Sequence, residues 1–194
     1  RKLLDDLRHV LFFTILMAII ISAAFVLLAY VDAHEYVYLI PFVWAPIIAR
    51  VFYDSRTAIF LHIITGSIVS LAVTMPYVFL LTQVLVGIVA VISLRDMTQR
   101  AQLAQTAAFV LISYSLIYTA LHVLTAGDWQ SINWHFYVLF AVNAVLVICA
   151  YGLIFLFERG FGLLSSITLV ELTNVNSNLM LQFAEKAPGT FQHS

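Results

Sequence analysis

The sequence predicts an all-α fold: a polytopic transmembrane helix bundle of about six spans, with both termini cytoplasmic. Composition is the first of three observations behind this reading. Of 194 residues, 63% are hydrophobic and 10% charged, and the mean hydropathy is +1.01. Soluble domains carry roughly 25% charged and about 45–50% apolar residues, so a soluble fold of this size could not hide so much apolar surface. The second observation is that the apolar residues fall into runs near the ~20 residues that a helix needs to cross a hydrocarbon core. The third is that the basic residues lie on one side only.

Residues 9–31 form the first run. Residues 36–52 form a second, shorter one, interrupted by Pro41 and Pro46, each of which removes a backbone donor and kinks a helix. Residues 56–94 are long enough for two crossings and are divided at Thr74-Met75-Pro76, because proline disfavours helix in the residue before it and suits a helix start. Residues 102–125 and 134–157 supply the last two.

Alternation of these runs places Arg1, Lys2 and Arg8, then Arg50 and Arg56, then Arg95 and Arg100, then Arg159 and Lys186 on one side. Together they make up all 9 Lys and Arg residues. The opposite loops, 32–35, 74–76 and 126–133, hold none. The positive-inside rule therefore assigns the basic side to the cytoplasm. Tyr30, Tyr36, Tyr38, Tyr77, Trp129 and Trp134 collect near the other ends of the spans, where amphipathic rings favour the headgroup level. The exterior loops are too short for a folded external domain.

A net charge of -1 argues against nucleic acid as a partner, which would call for a basic patch. The single cysteine, Cys149, sits in an apolar run; it forms no disulfide framework and reads as a small buried hydrophobe. The chain opens Arg1-Lys2-Leu3-Leu4-Asp5-Asp6 without an initiator Met, which reads as an internal segment of a longer protein. Its first apolar run exceeds the ~7–15 residues of a signal-peptide core.

No Asp, Glu, Lys or Arg falls in the middle of a span, which weighs against an ion channel, pump or charged-solute transporter. Neutral polar residues do: His62 and Thr65 in the third span, Gln83 in the fourth, Ser113, Ser115, Thr119 and His122 in the fifth, and Asn143 in the sixth. One reading is cross-helix hydrogen bonding, worth about 0.6 kcal/mol each. The sharper one is an intramembrane polar pocket for a small molecule or lipid, built from His62, Gln83, Asn143 and His122. A haem shared by His62 and His122 is disfavoured, since the two histidines differ in depth. Gly66 and Ser70 make a small-xxx-small pattern that permits close helix approach and leaves a homodimer open.

After residue 157 the character changes. Glu158-Arg159-Gly160-Phe161-Gly162 ends the last span with charge and glycine. Thr168-x-x-Glu171 fits a capping box that opens a short helix. A second short amphipathic run, residues 179–186, stops at Ala187-Pro188-Gly189-Thr190. The expected division is a bundle over residues 1–158 and cytoplasmic linker helices over residues 159–194, with Glu158, Gly160, Gly162, Glu171, Pro188 and Gly189 as linker or coupling positions.

Glu171-Leu172-Thr173-Asn174, followed by Ala187-Pro188-Gly189-Thr190-Phe191-Gln192-His193-Ser194, resembles in order and spacing the junction found in bacterial seven-transmembrane receptors with an intracellular HD hydrolase domain. Tyr38-Leu39-Ile40-Pro41 resembles that family's Ile-Pro at the start of a span. The chain departs from the family at Ser177-Asn178, where His-Pro is common, and at Phe191-Gln192, where Tyr-His is common; the His before Ser is kept. The resemblance implies a bacterial inner-membrane protein with an external sensor domain and a cytoplasmic HD phosphohydrolase that hydrolyses cyclic di-AMP with a pair of Fe or Mn ions. It makes His193 the first metal ligand of that domain. One ligand cannot hold a metal pair, so the segment itself would be catalytically inert, with no cofactor of its own. Its role would be anchoring and signal transmission. A small-solute transporter and a purely structural anchor or dimerisation module are the competing readings.

Overall fold

The computed structural model describes residues 2–31, 34–94, 102–130 and 132–162. The helices are α1 (Lys2–Tyr30), α2 (Trp44–Phe52), α3 (Ser55–Ser70), α4 (Pro76–Ser93), α5 (Gln102–Ala126) and α6 (His135–Phe161), with a 3-10 segment, His34–Leu39, between α1 and α2. No strand occurs among the described residues. The capping box at Thr168–Glu171 and the positions Glu171, Pro188, Gly189 and His193 lie outside them.

Among the described residues, five segments are long and apolar enough to cross a membrane: Leu7–Tyr30, His34–Phe52, Pro76–Ser93, Gln102–Thr125 and His135–Phe161. This is close to the expected six. The difference is α3, whose 16 residues rise about 24 Å, short of a hydrocarbon core of about 30 Å. The chain leaves the helix early: Ala72 N–H bonds the Val69 carbonyl at 3.0 Å and Val73 N–H that of Ser70 at 3.3 Å, and α4 then opens on Pro76 at its first position. Proline costs nothing there, because that N–H has no intrahelical partner in any residue.

Neighbouring helices pack in sequence order from α2 to α6. The ring closes where α6 meets the 3-10 segment and α2, while α1 lies across α2, α3 and α6. The second span is the hub. Its best window is 56% buried, against 22% for α1 and 17% for α5, and Ala45, Pro46, Ile47, Ile48, Ala49 and Val51 of α2 are all buried. The outer helices instead turn Val10, Val26, Ile112 and Leu116 outward, which suits a bilayer, where apolar surface costs nothing to expose.

Three expectations change in three dimensions. Cys149 is exposed, not buried. It shares the outer face of α6 with Val145 and Ile148, and contact with lipid satisfies a small hydrophobe as well as a core does. Gly66 and Ser70 are buried; Gly66 faces Leu80 and Gln83 of α4, so the small-residue pattern serves contact within the chain. Tyr38 is no headgroup anchor. It turns inward against Phe79, Phe136 and Phe140 at centroid distances of 5.6, 5.7 and 5.8 Å. Tyr30, Tyr77, Trp129 and Trp134 do point outward.

The two ends of the bundle differ in chemistry. At one, Phe12 of α1 is fully buried between Phe52, Tyr53, Phe157 and Phe161, with centroids 5.2–5.8 Å away, and His9 Nδ1 lies 2.5 Å from Tyr53 Oη. Arg8, Arg50, Arg56 and Arg159 belong to this end. Asp54 caps α3 there, its carboxylate accepting from Thr57 N–H at 3.2 Å and from the Thr57 hydroxyl. The Thr57 hydroxyl, with smaller backbone contributions, holds the Asp54 carboxyl below its ordinary pKa. At the opposite end His135 Nε2 lies 3.7 Å from Glu35 Oε1, and the described residues there include no Lys or Arg.

A polar layer around a broken helix

The second span cannot be one helix. Pro41 has no N–H to offer the Val37 carbonyl, which takes Ile40 N–H at 3.2 Å instead. Phe42 N–H then turns to Ile40 O at 2.8 Å and Trp44 N–H to Pro41 O at 2.9 Å, leaving the Tyr38 carbonyl without its helical partner. Pro46 falls in the first turn of α2, where the missing donor is harmless. The kink expected from the two prolines is thus a full break, and it is the work of Pro41.

Asn143 of α6 repairs that break. Its Nδ2 donates to Tyr38 O at 2.9 Å and to Ile40 O at 3.0 Å, while the indole of Trp44 donates to Leu146 O at 2.9 Å. Irregular backbone at membrane depth survives only where other groups satisfy it, and α6 supplies those groups.

Beside the break lies a second polar set. His62 Nε2 is 2.8 Å from the Gln83 carbonyl, and the Tyr114 hydroxyl donates to Gln83 Oε1 at 2.8 Å. All three side chains are buried. The imidazole has room because residue 87 is glycine: a Cβ there would overlap the His62 ring. Some polar atoms of the layer have no hydrogen-bond partner among the described residues: His62 Nδ1, Gln83 Nε2 and Asn143 Oδ1. Thr65 and Thr82 close on the carbonyls of Leu61 and Val78 in their own helices, both at 2.8 Å.

His122 is elsewhere. It lines a cavity of about 670 Å³ at the end opposite the arginines, together with Glu35, Tyr38, Tyr77, Tyr118 and Phe136. Thr119 bonds the Tyr137 hydroxyl nearby at 2.6 Å. The pocket expected from four residues is therefore two features: a closed layer holding His62, Gln83 and Asn143, and an open cavity bordered by His122. Tyr38 and the aromatic stack of Tyr118 on Phe136 separate them.

Residues 1–165 match the family described as 7TM receptor with intracellular HD hydrolase. This chain belongs to that family. It is 29% identical over 168 residues to the cyclic-di-AMP phosphodiesterase PgpH of Bacillus subtilis, covering 81% of this chain and 23% of that protein. It is 31% identical over 170 residues to the PgpH of Listeria monocytogenes, covering 81% of this chain and 22% of the relative. The chain thus spans less than a quarter of the length of these curated relatives. No solved structure matches it.

As a 7TM-receptor segment the chain is a multi-pass membrane protein. Among the described residues no group of three or more His, Cys, Asp or Glu could hold a metal ion, so the metal chemistry that an HD hydrolase implies does not fit these residues. At the linker, Glu158 is half-buried and Gly160 exposed within α6, which runs on to Phe161; Gly162, at φ 65° and ψ 27°, ends it. Tyr114 is the residue that sequence reasoning passed over, because a tyrosine inside an apolar run reads as filler. Nothing in the residue order pairs it with Gln83.

Proposed function

We propose that this bundle is the membrane module of a receptor-type HD phosphohydrolase acting on cyclic di-AMP, which it anchors and to which it transmits a signal. The observation that carries this reading is the family match over residues 1–165, joined by the likeness to two cyclic-di-AMP phosphodiesterases. The basic end would face the cytoplasm by the positive-inside rule, placing both termini and the hydrolase on that side of a bacterial inner membrane. The hydrolase would carry Fe or Mn, with His193 as its first ligand. An external sensor domain and a homodimeric assembly complete the proposed receptor.

The course of α6 supports a relay. One continuous helix contributes Phe136 to the outer cavity, Asn143 to the break in the second span, and Phe157 and Phe161 to the packing around Phe12. Signal transmission requires two arrangements that a ligand distinguishes energetically. A buried layer with unmatched polar atoms supports alternatives, since each unmade bond costs about 1–3 kcal/mol.

The test is manganese- or iron-dependent hydrolysis of cyclic di-AMP by the intact protein in liposomes, compared with a chimera whose bundle is replaced by unrelated spans. The expected result is activity in both with different turnover. Absence of hydrolysis by the intact protein sinks the phosphodiesterase reading, and equal turnover sinks the relay.

A further inference from the structure

The outer cavity has a chemistry of its own. It lies between the 3-10 segment, the start of α4, the last turns of α5 and the start of α6, at the end that carries the outward-facing Tyr77 and Trp134. Glu35 is the one Asp, Glu, Lys or Arg among the described residues that line it. Its ion-pair contact among the described residues is His135, at 3.7 Å, longer than a hydrogen bond. The wall beside that carboxylate is aromatic. Tyr118 and Phe136 stack with centroids 4.6 Å apart and planes 21° apart, and Tyr38 meets Phe136 edge-on at 5.7 Å.

We propose that this cavity binds an ammonium group carried on an apolar body. A carboxylate whose ion-pair contact is a histidine at 3.7 Å, with no Lys or Arg among the described lining residues, supplies the charge, and aromatic faces attract cations through their quadrupole, best where water is scarce. At about 670 Å³ the space falls within the ~300–1,000 Å³ of small-molecule sites. His34 and His122 also line it, and the start of α4 lacks a side-chain cap; these would favour an anion, but an anion would share the cavity with Glu35. The ammonium has two sources, an aminated lipid headgroup or a free organic amine, and the same residues would hold either. Binding is read without reference to hydrolysis, so the inference stands apart from the phosphodiesterase reading.

The experiment uses the full chain in nanodiscs of phosphatidylglycerol, which carries no ammonium, with thermal unfolding followed by tryptophan fluorescence. Benzyltrimethylammonium is titrated in one arm, phosphatidylethanolamine replaces part of the lipid in a second, and octanoate serves as the anionic arm. A saturable rise in Tm is expected with the free cation if the ligand is soluble, and with phosphatidylethanolamine if it is a headgroup. Glu35→Gln and Tyr118→Leu should each weaken the effect about tenfold, while Tyr118→Phe, which keeps the ring face, should retain it. No saturable response to either ammonium, an undiminished response in Glu35→Gln, or stabilisation by octanoate instead would overturn the proposal.

Discussion

The imidazole of His62 occupies the space that a side chain on Gly87 would need. The ring is 2% exposed, bonds the Gln83 carbonyl one turn away from that glycine, and leaves α3 and α4 in contact at a point where only hydrogen can stand between them. Gly66, also on the α3–α4 seam, differs: an added Cβ would meet Leu80 Cδ1 at 3.6 Å and Gln83 Cβ at 3.8 Å, ordinary contact distances.

Gly87→Ala should therefore destabilise the bundle by about 1–3 kcal/mol, the usual cost of overpacking, whereas Gly66→Ala should be neutral or slightly stabilising, since alanine is the better helix former. Thermal unfolding of both variants in one detergent checks this. A Gly87→Ala/His62→Ala double variant should recover part of the loss, because the clash partner is gone. Equal Tm values for the two glycine variants would contradict the packing.

Asn143 presents a different kind of dependence. Replacing it with Leu leaves the Tyr38 carbonyl to find another donor in an apolar interior, while the Ile40 carbonyl keeps Phe42 N–H; the loss should cost about 1–3 kcal/mol. Asn143→Asp should be at least as damaging when ionised, since it sets a carboxylate against two carbonyl oxygens. Trp44, which bonds α6 independently, should keep the second span attached in both. Hydrogen exchange at residues 38–44 is the sensitive measurement: protection should fall there first, and unchanged protection would mean that the break needs no partner from α6.

How much of this was legible beforehand follows from what sequence encodes. Depth along a span is written in residue number, so His62, Gln83 and Asn143 could be picked out as polar groups within the membrane, and the division at Pro76 could be placed. Rotation about the helix axis is not written there. Tyr38 has the right depth for a headgroup anchor and the wrong azimuth, and Cys149 sits in an apolar run but on its lipid side. That Asn143 would meet Tyr38 and Ile40 depended on Pro41 breaking the span fully, which residue spacing alone leaves open between a kink and an interruption. The grouping of His122 with the other three failed for the same reason: four polar residues in four apolar runs give no distances between them.

Asp54 makes the junction between α2 and α3 sensitive to acid. Its carboxyl is held below the usual value, mainly by the Thr57 hydroxyl, so its contribution to stability is fully present above the unfolded-state pKa of about 3.9 and is lost as pH falls through the lower folded value. Asp54→Ala should lower Tm at neutral pH by removing the cap. Asp54→Asn should keep the cap and flatten the acid limb of the Tm–pH curve below about pH 4. An acid limb identical to that of the natural protein would show that other carboxylates govern it.

The last step of the proposed relay can be tested at one backbone angle. Gly162 ends α6 in the left-handed region, at φ 65°, which costs an L residue about 1–2 kcal/mol. Gly160 lies within the helix with open space around it. Gly162→Ala should thus favour some other backbone course after Phe161, whereas Gly160→Ala should only stiffen the last turn, stabilising it by about 0.5–1 kcal/mol. In the proposed receptor neither residue would belong to the hydrolase, so neither would touch its chemistry. If α6 passes a conformational signal to that domain, Gly162→Ala should change cyclic di-AMP turnover of the intact protein in liposomes while leaving its turnover in detergent near that of the isolated hydrolase. Gly160→Ala should change turnover less than Gly162→Ala in both settings. Equal liposome turnover for Gly162→Ala and the natural protein would mean that the path from Phe157 and Phe161 to the hydrolase does not run through the geometry at the end of α6.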